Sequence, residues 1–354
     1  MNPRIKWLRN QLESLKLDGM IVSNPANVKY LTGLDEEGTL VLAPKENIFI
    51  TDGRYIESVN HHLTIDDEIV VFNMHEMSKY DYEGIFMISE NVGFEEGYVT
   101  YEQYKKYLQQ YQVNLVETEG LIESQRIVKD VDEVKNIQIA CNITDQAFEY
   151  IKTFIKEGMT EKEVAFELER YMVTHGADGL AFETIVAFTE NASKPHAVPS
   201  DRKLKVGDLI QFDFGAKYHG YCSDFSRVIF AGEMKPEYKQ SYDFVLESQS
   251  KLADTLKDGA SIKLAIKDRE TEYKLRNIPV LHAFGHGAGL DIHEKPFLRS
   301  NTESIIKENA IIAIEPGVYS PGEYGIRIED TYIVTKNGSV PLTHASKDYT
   351  VIKL

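Results

Sequence analysis

Acidic residues inside apolar, strand-forming runs are the feature that most constrains how this chain can fold. Asp213 stands in LIQFDF, Glu315 in IIAIEPGVY and Glu329 in GIRIED. A carboxylate that is buried in such a run without a partner is strongly disfavoured. A fold that buries these runs must therefore supply the acids with a compensating charge.

The first acidic run predicts a β-hairpin. Residues 209–230 contain two stretches of alternating polarity on either side of a short turn, which is typical of a hairpin. If Tyr218 and His219 form a two-residue loop, Asp213 and Asp224 lie opposite each other, with Cβ atoms about 4.5–5.5 Å apart. The alternative is a bulge that breaks this register and leaves both acids in solvent.

A second hairpin is predicted over residues 311–334, with its turn centred on Gly322. That turn places Glu315 opposite Glu329. Two pairs of acids on two hairpins would form a cage of hard oxygen ligands, which suits a divalent ion such as Mn²⁺. The alternative is that these glutamates lie on an exposed face of the sheet.

Three histidines occur between residues 281 and 294, in the segment LHAFGHGAGLDIHE. The glycines among them argue against a helix and favour strand and loop. His282, His286 and His293 together suggest one metal ligand with neighbours that handle protons.

The order of the predicted elements divides the chain into two parts. Strands at Gly19–Val22, Thr39–Leu42 and Ile48–Thr51 alternate with short helices, which indicates a small α/β domain with a mixed sheet. The charged segment 117–132 follows, and we place the domains at residues 1–125 and 126–354.

The second part combines helices with paired strands, so the fold class is α+β. We expect a long helix capped by Asp132 and another that begins at the Thr160-x-x-Glu163 capping box. A further helix should start at Pro236. Residues 260–280 are charged, and we expect a loop there.

Composition narrows the class of protein. With 42% hydrophobic residues, 20 Tyr and 16 Phe, the chain is globular rather than disordered. Its net charge of −17 disfavours a nucleic-acid partner and an anionic membrane surface. Two cysteines cannot form a disulfide framework, and neither a signal peptide nor a membrane-spanning run is apparent. We therefore expect a cytoplasmic protein.

These motifs resemble those of the metallopeptidase family that contains methionine aminopeptidases, Xaa-Pro aminopeptidases and prolidases. The resemblance rests on Asp213, Asp224, His286 in GHGAGL, Glu315 in IEPGVY and Glu329 in GIRIED. NVKYLTGL and TDGRY resemble the creatinase-type N-terminal domain of the proline-specific branch. The resemblance implies an N-terminal creatinase-like α/β domain followed by a C-terminal pita-bread catalytic domain.

The resemblance also implies two divalent metal ions, Mn²⁺ first and Co²⁺ or Zn²⁺ as alternatives. Asp213 would bind one ion, His286 and Glu315 the other, and Asp224 and Glu329 would bridge them. A hydroxide held between the ions would then attack the scissile carbonyl.

Further residues take their roles from the same resemblance. Glu315 would move the proton, and His293 and His196 would stabilise the transition state. Substrate contacts are implied for His196, His282, His293, Tyr319 and Arg327. Ser226, where the family usually has threonine, and FTENASKPH (residues 188–196), which lacks a Ser-Gly before the asparagine, depart from the pattern.

The implied activity is the hydrolysis of Xaa-Pro bonds in short peptides by a homodimer. A prolidase-like Xaa-Pro dipeptidase is the first expectation, and an Xaa-Pro aminopeptidase acting on longer peptides is the alternative. A methionine aminopeptidase is disfavoured by the long N-terminal domain. Creatinase-like hydrolysis and a non-catalytic peptide-binding relative are disfavoured because all five ligand positions are intact.

Overall fold

The computed structural model describes residues 2–353, which form two compact units. One unit ends at Arg126 and the other begins at Ile127, one residue later than the boundary predicted from the sequence. The Arg126 guanidinium donates to Oδ1 of Asn27 at 2.8 Å, so its helix is tied to the first unit. No helix within residues 2–353 is both long and apolar enough to cross a membrane.

The first unit is built on a mixed sheet with strand order β4-β3-β2-β1-β5-β6. Strand β1 pairs antiparallel with β2 and parallel with β5, so the predicted mixed α/β arrangement is confirmed. The strands are β1 Gly19–Val22, β2 Gly38–Leu42, β3 Asn47–Thr51, β4 Ile69–Asn73, β5 Asn91–Phe94 and β6 Asn114–Glu117. The helices are α1 Pro3–Ser14, α2 Pro25–Thr32, α3 Ile56–His62, α4 Lys79–Ile85, α5 Tyr101–Tyr111 and α6 Leu121–Arg126.

Helices of the second unit begin close to the predicted signals. Thr160 caps its helix in the predicted box with Glu163. The preceding helix is capped by Asp130 rather than by the predicted Asp132, because Asp130 and Glu133 form a capping box of their own. The helices are α7 Val131–Phe154, α8 Glu161–Thr174, α9 Pro236–Thr255 and α10 Ile262–Leu275.

Helix α10 contradicts the loop predicted for residues 260–280. Ser261 caps this helix by accepting from the Leu264 amide. Ile262, Ile266 and Tyr273 are buried on its inner face, at successive spacings of about one turn and two turns. Its charged outer face concealed this pattern in the sequence.

The strands of the second unit form several small sheets. Their orders are β11-β10-β7, β20-β12-β9-β8, β14-β13-β15-β18-β19 and β16-β17. The bounds from β7 to β13 are Gly179–Leu180, Ile185–Phe188, Leu209–Phe214, Ala216–Tyr218, Tyr221–Cys222, Phe225–Ala231 and Gly285–Gly287. Those from β14 to β20 are Glu294–Phe297, Ile311–Ile314, Gly317–Ser320, Tyr324–Arg327, Asp330–Val334, Ser339–Pro341 and Thr350–Ile352.

Two hydrophobic clusters hold these sheets. Phe148 of α7 packs edge-on against Phe212 and Phe225, with ring centroids 6.0 and 5.2 Å away. In the second cluster, the rings of Tyr273 in α10 and Phe244 in α9 are in contact, with centroids 4.9 Å apart. The strands that carry the candidate ligands are therefore fixed by helices packed on buried aromatic rings.

Candidate metal centre

The first hairpin forms, but its register differs from the prediction. The loop is His219-Gly220, whose φ angles of 48° and 82° suit a type I′ turn. Asp213 consequently pairs with Ser226, and the prediction that it lies directly opposite Asp224 is wrong. Shifting the loop by one residue moves the pairing by two positions, so the two acids become diagonal rather than direct neighbours.

The second hairpin has the predicted register. Ile314 pairs with Asp330 in the β15–β18 ladder, and Gly317 pairs with Arg327 in the β16–β17 ladder. Both ladders share a register in which Glu315 and Glu329 occupy opposite positions. The Glu329 backbone also forms an isolated bridge with Ser226, which joins the two hairpins.

Strand β13 delivers His286 to these acids. His286 pairs with Ala313, two residues before Glu315. Its Nδ1 donates to the Gly287 carbonyl at 3.1 Å, so its Nε2 is the atom that faces the acids. This nitrogen lies 3.4 Å from Oδ2 of Asp224 and 3.7 Å from Oε1 of Glu315. Burial lowers the pKa of His286 to about 4, which leaves a neutral imidazole able to bind a cation at pH 7.

The five predicted ligands border one cavity of about 600 Å³. Ligand atoms of Asp224, His286 and Glu329 lie within 4.8 Å of one another. Asp213 and Glu315 lie on the wall of the same cavity but outside this tight group.

Burial and mutual repulsion disfavour the charged forms of these acids. Burial, and then the charges of Asp213 and Glu315, raise the pKa of Asp224 well above its usual range. Burial and the same kind of repulsion, from Asp224 first, raise the pKa of Glu329. Burial also raises the pKa of Glu315 to about 8. The protein alone does not supply enough positive charge to balance this cluster.

One oxygen atom in the cluster lacks a protein partner. Oδ1 of Asp213 is buried and accepts no hydrogen bond from any residue between 2 and 353, whereas its Oδ2 accepts from Arg327. A cation would satisfy the free oxygen and relieve the repulsion. The donor set of four carboxylates and one neutral imidazole therefore fits a divalent metal ion.

Arg327 connects the acids to two other candidate residues. Besides Asp213, it donates to the Tyr319 hydroxyl at 2.6 Å and to Oγ of Ser226 at 3.0 Å. The Tyr319 oxygen is 2.9 Å from Nε2 of His282. Arg327 and His282 line the cavity, while Tyr319 is buried behind them and positions both.

His196 and His293 also line the cavity and are exposed to it. The His293 ring lies edge-on to His286, with centroids 4.4 Å apart. Burial lowers the pKa of His293; the charge of Asp213 opposes this shift, and that of His196 adds to it. The ten predicted residues therefore converge on one cavity, nine on its wall and Tyr319 directly behind.

The loop that carries His196 is anchored by a buried acid that the sequence analysis missed. Glu161, at the start of α8, accepts from the Phe188 amide at 2.6 Å and from the Ser200 amide at 2.8 Å. It also accepts from the side chain of Asn191 at 2.8 Å. The capping box of Thr160 and Glu163 identified the start of this helix but gave no signal of the hydrogen bonds that Glu161 accepts.

Comparison with known proteins identifies the family. Residues 135–336 match metallopeptidase family M24, and residues 4–128 match the creatinase/prolidase N-terminal domain. The chain belongs to metallopeptidase family M24. The resemblance inferred from the motifs is thereby confirmed, as are the α+β class and the pairing of a creatinase-type domain with a pita-bread domain.

Similarity to individual relatives extends over the whole chain. An Xaa-Pro dipeptidase of Pyrococcus horikoshii is 32% identical, over 98% of this chain and 99% of its own. The solved Xaa-Pro dipeptidase from Bacillus anthracis has a TM-score of 0.91 at 32% identity and covers 99% of each chain. The X-Pro aminopeptidase from Thermotoga maritima has a TM-score of 0.87 at 28% identity and covers 97% of this chain and 100% of its own.

Proposed function

We propose that this metallopeptidase hydrolyses dipeptides in which proline is the second residue. The observation that carries the proposal is the convergence of four carboxylates and His286 on one cavity, with a buried carboxylate oxygen left unpaired. The dipeptidases among its relatives support the substrate class.

We assign the ligands as follows. Asp213 would hold one ion, His286 and Glu315 would hold the other, and Asp224 and Glu329 would contribute to both. Mn²⁺ is the proposed metal because the donor set is mostly carboxylate, and Co²⁺ and Zn²⁺ are the alternatives.

Divalent ions, when bound, polarise a carbonyl and make water a stronger acid. Glu315, which is also a proposed ligand, can accept a proton from the attacking water and pass it to the leaving nitrogen of the peptide. His293 and His196 can donate a hydrogen bond to the carbonyl oxygen as negative charge develops on it. Arg327 holds Asp213 in place, and Tyr319 orients Arg327 and His282.

Selectivity for proline follows from the walls of the cavity. A proline nitrogen carries no hydrogen, and its ring fixes φ, so the site must accept a compact ring without relying on that nitrogen as a donor. His282, with its Nδ1 occupied by the Ala283 carbonyl at 2.7 Å, presents its ring to the cavity. We expect Xaa-Pro to be cleaved at least about tenfold faster than Xaa-Ala in kcat/KM. Equal rates for the two would contradict this selectivity.

Arg299 favours a dipeptide over a longer peptide. It lines the cavity, is exposed, and forms no ion pair with a described residue; its guanidinium lies 5.6 Å from the Phe297 ring. A free C-terminal carboxylate is the complement that an unpaired guanidinium selects. An aminopeptidase that acts on longer peptides is the second candidate, supported by the likeness to the Thermotoga maritima enzyme.

The two candidates are distinguished by comparing an Xaa-Pro dipeptide with an Xaa-Pro-Yaa tripeptide. Arg299→Leu should raise KM for the dipeptide about tenfold or more and affect the tripeptide less. Arg276→Leu is the matched control, because Arg276 is also exposed and lies over a phenylalanine ring, 4.6 Å from Phe244, but is not part of the cavity wall. A preference for the tripeptide that Arg299→Leu leaves unchanged would support the aminopeptidase.

We further propose a homodimer in the cytoplasm. The first unit exposes large apolar side chains, among them Ile65 at 96% and Tyr80 at 81%, which a partner subunit could cover. Cys141 and Cys222 are buried and unpaired, as in proteins of reducing compartments. Light scattering should give about twice the 40.3 kDa mass of one chain; the mass of a single chain would contradict the dimer.

A further inference from the structure

The two glutamates of the second hairpin stand where its strand ladder is interrupted. The β15–β18 ladder ends at the pair Ile314 and Asp330, and the β16–β17 ladder starts at the pair Gly317 and Arg327. Glu315 and Glu329 lie in the gap between the two ladders. Their backbones are therefore not paired with each other: the Glu315 amide donates to the Phe284 carbonyl, and the Glu329 backbone exchanges hydrogen bonds with Ser226.

A buried side chain from α9 spans this gap. Nε2 of Gln249 lies 3.2 Å from the Ile314 carbonyl and 3.3 Å from the Ile328 carbonyl. These two carbonyls belong to the residues directly before Glu315 and Glu329. One amide group thus links the two chain segments at the point where each of them turns its glutamate toward the cavity.

Gln249 is itself held firmly. Its side chain is fully buried, and its Nε2 also donates to Oδ2 of Asp330 at 3.1 Å. Its Oε1 accepts from Nζ of Lys347 at 3.1 Å, and Lys347 in turn lies 2.6 Å from Asp330. The amide is therefore oriented from both ends, and its two N–H groups are shared among the two carbonyls and Asp330.

We infer that Gln249 is a positioning residue for the metal site, acting on Glu315 and Glu329 through their backbone. It does not line the cavity, so it would act on the ligands and not on a substrate directly. Partners that orient metal ligands commonly change metal affinity or activity by about 10- to 100-fold when they are replaced. The inference rests on the metal site proposed above and adds to it a residue remote from the ligands in sequence.

A purely structural role for Gln249 is the competing interpretation, since any buried amide must satisfy its hydrogen bonds. The two roles differ in what they change. A structural role alters the melting temperature and leaves the affinity of the folded protein for metal unchanged. A positioning role alters the affinity for metal and kcat in protein that remains folded.

The test is calorimetric titration of the metal-free full-length protein with Mn²⁺, without substrate, for Gln249→Leu and for the more adaptable Gln249→Met. Leu252→Ala is the matched control, because Leu252 is equally buried on the same helix and its truncation lowers stability without touching either carbonyl. Gln240→Leu, on the exposed side of α9, controls for the chemical change itself.

We expect both Gln249 variants to weaken Mn²⁺ binding by about 10-fold or more, and to lower kcat with little change in KM. Leu252→Ala and Gln240→Leu should bind Mn²⁺ like the unaltered protein. Mn²⁺ affinity in either folded Gln249 variant within about threefold of the unaltered protein would overturn the inference, as would equal weakening by Leu252→Ala. Absence of Mn²⁺ binding in the unaltered protein would instead overturn the metal site, so the two failures are distinguishable.

Discussion

Each unit of the molecule buries an acid, and the surroundings of the two acids differ. In the first unit, Glu95 accepts from the amides of Ser23 and Asn24 at 2.5 and 2.8 Å, and from the side chain of Asn27 at 2.7 Å. Burial raises the pKa of Glu95 to about 7, and these donors oppose the rise. In the second unit, burial raises the pKa of Asp224, and neighbouring carboxylates raise it further.

Burial alone therefore does not mark a functional acid. Glu95 is surrounded by N–H donors and ties β5 to the start of α2, which is a structural task. Asp224 is surrounded by other acids, an arrangement that the protein alone does not stabilise. What a buried carboxylate faces, rather than how deeply it is buried, separates the proposed metal site from the rest of the molecule.

The largest expected difference between the two acids is in catalysis. Asp224→Ala should lower kcat/KM by at least about a thousandfold, or about 4 kcal/mol of transition-state stabilisation, because it removes a proposed bridging ligand. Glu329→Ala should do the same. Glu95→Ala is the control and should keep kcat/KM within about threefold of the unaltered enzyme. Near-normal turnover in Asp224→Ala would remove the distinction between the two acids.

The next largest effect compares two histidines of the second unit, one on the cavity wall and one outside it. His293→Ala should lower kcat about a hundredfold with little change in KM, because its hydrogen bond strengthens as the oxyanion forms. His344→Ala, an exposed histidine of the same unit outside the cavity wall, should change neither constant. A change confined to KM would reassign His293 from transition-state stabilisation to substrate binding.

Stability should respond in the opposite sense to catalysis. Glu95→Ala leaves buried N–H groups unpaired and should lower the free energy of unfolding by about 1–3 kcal/mol. Asp224→Ala removes a buried acid whose charged form burial and neighbouring carboxylates disfavour, so the metal-free protein should be no less stable than the unaltered one. Urea unfolding of both variants without metal measures this. Equal destabilisation by the two would mean that their surroundings do not matter.

The smallest effect, counted per pH unit, is a pH dependence of stability. Glu315 has a folded-state pKa of about 8 against an ordinary 4.5, so the folded chain binds more protons than the unfolded chain between these values. Glu315 alone should therefore lower the stability of the metal-free protein as pH rises through that interval, by up to about 1.4 kcal/mol per pH unit. His282 and His286, whose pKa values burial lowers to about 4, oppose this fall only below about pH 7.

Glu95 also lowers the stability of the folded protein as pH rises, but only up to its pKa of about 7. Saturating Mn²⁺ should abolish the fall in stability between pH 7 and pH 8, because bound cations keep the acids of the site ionised. The loss of stability that Glu95 causes below pH 7 should remain when Mn²⁺ is bound. A fall above pH 7 that Mn²⁺ leaves unchanged would contradict the comparison.

Local patterns were enough to predict much of the site. The motifs around Asp213, His286 and Glu315 indicated the family, and the turn at Gly322 gave the correct register for the second hairpin. The first register failed because positive φ is accessible to His219 as well as to Gly220, so the loop lies one residue further along. One residue in a loop moves a pairing by two positions.

Contacts between distant segments could not be predicted. Gln249 lies 65 residues from Ile314, and Glu161 lies 39 residues from Ser200. Lys129 forms a buried ion pair with Glu294, 165 residues away and next to His293. None of these pairings leaves a spacing or a motif in the sequence, because each depends on how helices pack against strands.

An anomalous diffraction map measured at the Mn absorption edge, from crystals of the unaltered protein grown with Mn²⁺, tests the central claim most directly. The account predicts two peaks in the cavity. Each should lie within ligand distance of the residues assigned to it, and both should lie within ligand distance of Asp224 and Glu329. Crystals of Glu95→Ala should give the same two peaks, and those of Asp224→Ala should lose at least one. A map with no peak among Asp213, Asp224, His286, Glu315 and Glu329 would contradict the account.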